Sequence, residues 1–322
     1  MLSPAALMGM ADDDRETDEV LIVLLRVSSI MSIVGAGIII GSWWWFQKEM
    51  PFFSRKLIAC LASADAMLSV TFLWASFLAE QPLVDAAGRP TLPCIAQGFA
   101  LQFTALASVA WTSCFAFHLY QLIIKECAAP AKFWHRYHIT AWGLPFLVCV
   151  FLLVRQLEGN ASVGSADRPW CWITTHGDGS ASGGGSGSGG GSGSGGGHVL
   201  RTGEVLQLLL YYVPVEAVLV VNLFLYVLLW RRVKTMPIRR RLRRRLLLYL
   251  LVYVVCTCWG LVNRIGQALS SGHHPNQTFS RLEAFFGSAQ GFLNALVYGV
   301  DRRMLSRYRQ CLCGRRTASR ST

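Results

Sequence analysis

The stretch EVLIVLLRVSSIMSIVGAGIIIGSWWWF, residues 19–46, carries a single charged residue, Arg26, between its opening glutamate and its closing aromatics. A helix rises about 1.5 Å per residue, so roughly 20 such residues cross the hydrocarbon core of a bilayer while satisfying their own backbone hydrogen bonds. The run exceeds that length, lies behind an acidic stretch (Asp12, Asp13, Asp14, Glu16, Asp18) and has no basic n-region. Those features separate it from a cleaved secretory signal and mark a retained membrane helix. Trp43, Trp44 and Trp45 end it as an interfacial aromatic belt does.

Applied along the rest of the chain, the same test finds six more runs, at residues 57–78, 94–124, 138–154, 205–230, 245–269 and 281–298. Composition agrees: of 322 residues, 53% are hydrophobic and 15% charged, a skew unusual for a soluble protein. The expected fold is an all-α membrane protein, a seven-transmembrane helix bundle over residues 19–299. An extracellular N-terminus, 1–18, precedes it. A short amphipathic helix and basic cytoplasmic tail, 300–322, follow. In that last segment Met304, Leu305, Tyr308 and Leu312 recur at helical spacing, and Cys311 and Cys313 are palmitoylation candidates. Residues 178–197 form a Gly/Ser-rich tract that cannot bury apolar surface. It is either an engineered linker or natural low complexity, and neither reading assigns it chemistry.

The net charge of +12 would suggest nucleic acid in a soluble chain, so the placement of the basic residues decides their meaning. Three follow the first run, three follow the third, nine lie between Arg231 and Arg245, and seven lie between Arg302 and Arg320. Helices that alternate in direction put these 22 of the 30 Lys and Arg residues on one side. The positive-inside rule makes that side cytoplasmic. The expectation is a multi-pass plasma-membrane protein with the N-terminus outside, the C-terminus inside and no nucleic-acid partner. The sequons at Asn160 and Asn276 then fall outside, where glycosylation occurs. Cys94 and Cys171 are the cysteines clearly on the oxidising side, which predicts a bridge between them.

No Walker loop, dinucleotide fingerprint, HExxH or paired-cysteine metal site occurs. The last run also lacks a lysine for a retinal Schiff base. The sequence therefore predicts no enzyme, no cofactor and no metal. Ionisable groups inside the membrane remain, and these are functional hypotheses by default. Asp65 lies about 12 Å from the basic side along its run; Gln290 lies at a similar depth and Asn294 roughly 6 Å from that side. The three are expected to form an internal polar network that clamps helices or serves as a switch or cation site. Glu216, beyond Pro214, and Arg264 either pair with each other or face an outer cavity, where Arg264 would favour an anionic ligand. Arg26 is read as snorkelling along its own helix. Trp170 and Trp172 flank Cys171 on an outer loop and are candidate caps for the mouth of the cavity, together with Asn263 near its wall. Arg231, Arg232, Lys234, Arg239, Arg240 and Arg241 are the expected partner-facing and lipid-facing cations.

Several motifs carry a resemblance: Ser54-Arg55-Lys56-Leu57 before Ser63-Ala64-Asp65, Cys94 with Gln97-Gly98, Trp111-Thr112 with Phe115, and His138 with Trp142-Gly143. Trp170-Cys171-Trp172, Tyr212 with Pro214 and Asn222, Asn263-Arg264-Ile265, and Gly291-Phe292-Leu293-Asn294 with Tyr298-Gly299 continue it. Together they resemble the cyclic-AMP-receptor-like family of slime-mould receptors and their plant and animal relatives. The resemblance implies a seven-helix G-protein-coupled receptor in which a small outer ligand shifts a two-state bundle toward a heterotrimeric G protein. The chain departs from the large rhodopsin-like class: Phe117-His118-Leu119-Tyr120-Gln121 stands where that class has an acidic-Arg-Tyr motif, and Ala295 and Leu296 follow Asn294 in place of a proline. Two other readings compete, a seven-helix channel or transporter using Asp65, Glu216 and Arg264 as a charge path, and a non-signalling membrane scaffold.

Overall fold

The computed structural model describes residues 4–46, 53–127, 130–160, 162–165, 170–174, 202–234, 248, 251–263 and 277–299. Arg239, Arg240, Arg241, Arg264, Asn276, Cys311, Cys313, the Gly/Ser tract and the 300–322 tail lie outside the described residues. The chain forms helix α1 (Pro4–Phe46), α2 (Phe53–Leu78) and α3 (Leu92–Ile123). A fourth segment follows as a 3-10 turn (Pro130–Phe133), α4 (Trp134–His138), a π turn (Ile139–Gly143) and α5 (Leu144–Leu157). Next come strands β1 (Val163–Ser165) and β2 (Cys171–Ile173), then α6 (Thr202–Gln207), a π turn (Leu208–Tyr212) and α7 (Val213–Lys234). Helix α8 (Leu251–Asn263) precedes α9 (Gln277–Ser288) and α10 (Gln290–Gly299).

Among the described residues, five helical segments are long and apolar enough to cross a membrane: Glu19–Trp45, Arg55–Leu78, Leu92–Ile123, Ala131–Leu157 and Thr202–Arg232. They cover the first five predicted runs. Of the sixth, the described part is the shorter apolar helix α8. The seventh is two helices, α9 and α10, meeting at Ala289, where the backbone bonds Ala289 N to Phe285 O and Leu293 N to Ala289 O carry across the joint. The first helix starts 15 residues before the predicted run. Pro4 suits a first turn because its missing N–H has no acceptor there in any case, and Ala5, Ala6, Leu7 and Met8 are strong helix formers that carry the helix into the acidic stretch.

The distribution of side chains inverts that of a water-soluble bundle. On α1, Val23, Val27, Ile30, Val34 and Ile38 are each about half exposed on one stripe, while Ser28, Ser29 and Ser32 are fully buried. Phe146, Leu147 and Leu153 on α5 and Val220 and Phe224 on α7 are exposed in the same way. Apolar surface on this scale facing outward fits lipid as the solvent. Inside, helix contact relies on small residues. A Cβ added at Gly35 of α1 would come 2.9 Å from Phe292 Cα and 3.0 Å from Ala295 Cβ, so α10 packs against the bare backbone of α1.

Helix α3 is central, packing against α2, α5, α7 and both strands. It buries Trp111, Phe115 and Leu119 with Leu57, Leu61, Tyr137 and Leu229 toward its Ile123 end. At its Cys94 end, Leu101 and Ala105 join Leu68, Trp170, Trp172 and Tyr212 in a second apolar cluster. Helix α2 lies between α1 and α3, and α9 and α10 close against α1. Arg26 does not run along its own helix as the sequence suggested. It crosses to α2, donates to the Ser76 carbonyl at 3.0 Å, pairs with Glu80 and covers the Phe77 ring at 4.9 Å, because a partner one helix away satisfies more of its donors than the lipid boundary does.

Candidate functional site

The two strands form an antiparallel hairpin with Val163 opposite Ile173, Gly164 opposite Trp172 and Ser165 opposite Cys171. A disulfide joins Cys171 to Cys94 in the first turn of α3. The hairpin lies directly on α3, where a Cβ at Gly98 would approach Val163 Cγ1 to 2.5 Å and Trp172 N to 3.3 Å. Glutamine side chains hold it elsewhere. Gln97 Oε1 accepts from Cys171 N at 2.9 Å, Gln156 Oε1 accepts from Ser162 N and Val163 N at 2.8 and 2.9 Å, and Gln207 Nε2 donates to Ile173 O at 2.6 Å. Backbone groups of a short hairpin need partners, and amide side chains reach them from three helices.

Because residues alternate along a strand, Trp170 and Trp172 project to the face opposite Cys171. Both rings are buried. Trp170 packs edge-on to Phe72 of α2 at 6.2 Å, and Trp172 packs edge-on to Tyr211 and Tyr212 at 5.0 and 5.9 Å. The Trp172 Nε1–H donates to Gln102 Oε1 at 2.8 Å, and Gln102 Nε2 donates onward to the Leu210 carbonyl at 3.0 Å. Leu210 lies within the π turn, a local widening that loosens the regular helical ladder and that recurs at functional sites.

Beneath this lid lies a cavity of about 100 Å³. Its walls come from α2 (Leu68, Phe72), α3 (Leu101, Ala105, Ser108, Val109), the π turn and α7 (Tyr211, Tyr212, Val215, Glu216), α8 (Cys256, Thr257, Gly260, Leu261) and α9 and α10 (Glu283, Ala284, Gly287, Gln290). Trp170, Trp172 and Glu216 line it. Asn263 does not. It stands behind the wall and donates from Nδ2 to Glu283 Oε2 at 2.9 Å, since its position on α8 turns it toward α9. The sequence reading missed Glu283, which lies two residues past the predicted start of the seventh run and reads there as an interfacial charge. It also missed Phe72 and Ser108, which carry no signal apart from their neighbours. The anionic-ligand expectation rested on Arg264, which is outside the described residues; the described wall carries two carboxylates, Glu216 and Glu283.

The cavity floor continues into a polar network. Asp65 is 1% exposed. Its Oδ1 accepts from Ser108 Oγ at 2.6 Å and Gln290 Nε2 at 3.2 Å, and its Oδ2 accepts from Asn294 Nδ2 at 2.7 Å. Gln290 Nε2 also lies 3.0 Å from Ser108 Oγ. Next to Asp65, the Ser69 hydroxyl lies 2.7 Å from Ser32 Oγ and 3.2 Å from the Ser288 carbonyl, and Ser28 and Ser288 join hydroxyls. Four helices, α1, α2, α3 and α10, and the end of α9 thus meet through side chains that the low-dielectric interior makes costly to separate. Ser108 and Gln290 belong to both the cavity and the network.

At the Ile123 end of the bundle, Arg231, Arg232 and Lys234 close α7, and Arg232 pairs with Glu126 at 2.7 Å. Asn160 is partly exposed after α5, and its carbonyl accepts from the Ser162 hydroxyl at 3.1 Å. Among the described residues no group of three or more His, Cys, Asp and Glu side chains could hold a metal.

A family model described as slime mold cyclic AMP receptor matches residues 11–183, a little over half the chain. Among individual relatives, cyclic AMP receptor-like protein A of Dictyostelium discoideum is 23% identical over 299 residues, 92% of this chain and 69% of the relative. Cyclic AMP receptor 1 of the same organism is 25% identical over 313 residues, 94% of this chain and 68% of the relative. G-protein coupled receptor 1 of Arabidopsis thaliana is 24% identical over 295 residues, 85% and 76% of the two chains. The disulfide-pinned Trp-Cys-Trp lid and the Asp65 network are thus features of a chain that belongs to the slime mold cyclic AMP receptor family.

Proposed function

We propose that this G-protein-coupled receptor is a seven-span bundle of the plasma membrane that takes a small extracellular ligand in the cavity beneath Trp170 and Trp172. Occupancy there passes to a heterotrimeric G protein at the opposite, basic face. The α8 segment and the α9–α10 pair supply the sixth and seventh spans of this reading. The N-terminus and the disulfide lid lie outside; the ends of α7 and α3, with Arg231, Arg232 and Lys234, lie at the cytoplasmic side with the basic stretch that includes Arg239, Arg240 and Arg241.

One observation carries the reading: Ser108 and Gln290 form part of the cavity floor and also hold Asp65. A ligand that draws on either side chain changes the hydrogen bonding that ties α2, α3 and α10 together. A ligand shifts an equilibrium only through differential contact with two states, and these shared residues are where such contact can act on helix packing. The test is guanine-nucleotide exchange on a panel of heterotrimeric G proteins in membranes containing the receptor. Exchange above receptor-free membranes is expected for at least one member. Replacing Arg231, Arg232, Lys234, Arg239, Arg240 and Arg241 with glutamine is expected to abolish it while surface expression persists. A receptor that reaches the surface and is silent across the panel, or whose exchange ignores those charges, would overturn the reading.

A further inference from the structure

We infer that the basic end of the bundle carries a binding site for the headgroup of a phosphoinositide, a multiply phosphorylated lipid of the inner leaflet, built where α2 meets the turn into α4. Its cations are Lys56, Lys132, His135 and Arg136. The site is separate from the cavity beneath Trp170 and Trp172, and it rests only on the orientation proposed above, which makes this end cytoplasmic.

The turn Pro130–Phe133 runs into α4 through two adjacent aromatic residues, Phe133 and Trp134, and the cations gather on their rings. Lys56 Nζ lies 3.9 Å from the Trp134 centroid, Lys132 Nζ 5.1 Å from that of Phe133, and Arg136 Cζ 5.8 Å from the same Phe133 ring. The rings are themselves anchored. Phe133 meets Phe117 of α3 edge-on at 5.8 Å; Trp134 meets His138 at 4.2 Å, and His138 meets the fully buried Trp111 at 5.0 Å. A ring face holds a cation in place without neutralising it. Three side chains that ordinarily sample many rotamers are thus held with their charges intact, so an anion that binds them pays less ordering entropy.

Among the described residues none of Lys56, Lys132, His135 and Arg136 forms an ion pair, and all four are exposed. The carboxylate of Glu126 is taken by Arg232 of α7. Lys56 and His135 both lie within electrostatic reach of His138, so like charges converge from α2 and α4. Lys56 also stands in the first turn of α2, which holds no acidic residue and where the helix dipole favours an anion over a cation. A polyanion bridging the patch satisfies these charges together.

The neighbouring surface decides which anion. Ile139 stands one turn beyond His135 on the same helix face and is 70% exposed, and Leu144 and Leu147 beyond it are exposed too. The cations therefore border an apolar surface that suits acyl chains, at the depth of the headgroups. A phosphatidylserine headgroup carries a single net negative charge, whereas each phosphomonoester of an inositol bisphosphate carries about −1.5 to −2. Such a headgroup can meet Lys56, Lys132 and Arg136 at once, with the Arg136 guanidinium matching one phosphate as a fork. An acidic protein surface would make no use of the apolar face beside the charges.

The test is native mass spectrometry of the full receptor in detergent micelles, mixed with equal amounts of phosphatidylinositol bisphosphate and phosphatidylserine of matched acyl chains. The bisphosphate is expected to be retained in preference. At about 1 kcal/mol for each Lys or Arg near a headgroup, one lost charge weakens binding about fivefold, so K56Q/K132Q/R136Q should weaken it about 100-fold. R231Q/R232Q/K234Q removes the same charge from the end of α7 and should leave retention within about twofold of wild type. K56R/K132R keeps the charges and should bind as wild type does, which separates lost recognition from lost folding. Soluble inositol trisphosphate, which has no acyl chains, should compete at least about tenfold less well than the lipid. Equal retention of the two lipids, an equal loss in the α7 variant or in K56R/K132R, or competition by the soluble headgroup as strong as by the lipid would overturn the inference. So would absent retention combined with loss of nucleotide exchange by K56Q/K132Q/R136Q in pure phosphatidylcholine membranes, which would assign the patch to an acidic protein surface. Micelles have no sidedness, so the lipid result stands whichever way the receptor is inserted and whether or not it couples to a G protein.

Discussion

Removing the acceptor at Asp65 should be the most damaging single change in the helix core. Three donors converge on its carboxylate, at 2.6, 3.2 and 2.7 Å, from Ser108, Gln290 and Asn294, which are 0%, 6% and 6% exposed. D65A leaves all three without an acceptor in a place water does not reach, at a cost of about 1–3 kcal/mol for each buried donor left unsatisfied. D65N keeps one oxygen for Ser108 and Gln290 but turns an amide nitrogen toward the Asn294 amide nitrogen. That variant should lose about 1.5–3 kcal/mol, the worth of one hydrogen bond to a charged group. The swap D65N/N294D restores one carboxylate and one amide across the same contact and should recover most of the D65N loss. Thermal unfolding of detergent-solubilised receptor, read by a thiol-reactive dye on the buried cysteine Cys114, ranks the variants. The expected order of stability is wild type, swap, D65N, D65A. If D65A matched D65N, or if the swap were no better than D65N, Asp65 would not be the acceptor hub described above.

Reduction of the Cys94–Cys171 bridge should destabilise the receptor strongly. It closes a separation of 77 residues, for which chain entropy predicts about 4.5 kcal/mol; the C94A/C171A pair should melt lower than wild type and lose its sensitivity to reductant. G98A should cost about 1–3 kcal/mol by overpacking, because its Cβ would come 2.5 Å from Val163 Cγ1. Adding V163A should cancel part of that loss, so a double-mutant cycle that came out additive would argue against the close contact. Q102L should loosen the lid, seen as faster amide exchange in 171–173, since it removes the acceptor of Trp172 and the donor to Leu210 together. E126Q should change stability by less than about 1 kcal/mol, because its pair with Arg232 is exposed on both sides.

Much of this site was legible because membrane sequences are constrained by one strong rule. A charged or amide side chain inside an apolar run must find a partner, so Asp65, Gln290 and Asn294 could be matched by depth alone, and the structure brings their side chains into contact. Trp170 and Trp172 were legible because a cysteine between two tryptophans on an outer loop has few bland explanations. Glu283 was not, since a carboxylate near the start of a run reads as an end-of-helix charge until α8 is seen packed beside it. The spacing put Asn263 on the sixth helix, and only packing shows that it turns to Glu283. Helix α1 outran its apolar stretch because hydropathy marks where lipid is, not where helical hydrogen bonding stops.

Hydrophobic runs, the one-sided placement of basic residues and the cysteine count are one-dimensional quantities. From them follow the spans, the expected orientation and the candidate bridge, because the bilayer imposes length and charge rules on a chain regardless of how its helices pack. The cavity is a different kind of fact. It exists because a π turn, a glycine under a hairpin and a disulfide set six helices and the hairpin at distances that no spacing encodes. Which carboxylates face it, and that Ser108 and Gln290 serve both cavity and Asp65, depend on helix rotation and close approach, and those are decided only when the whole bundle packs.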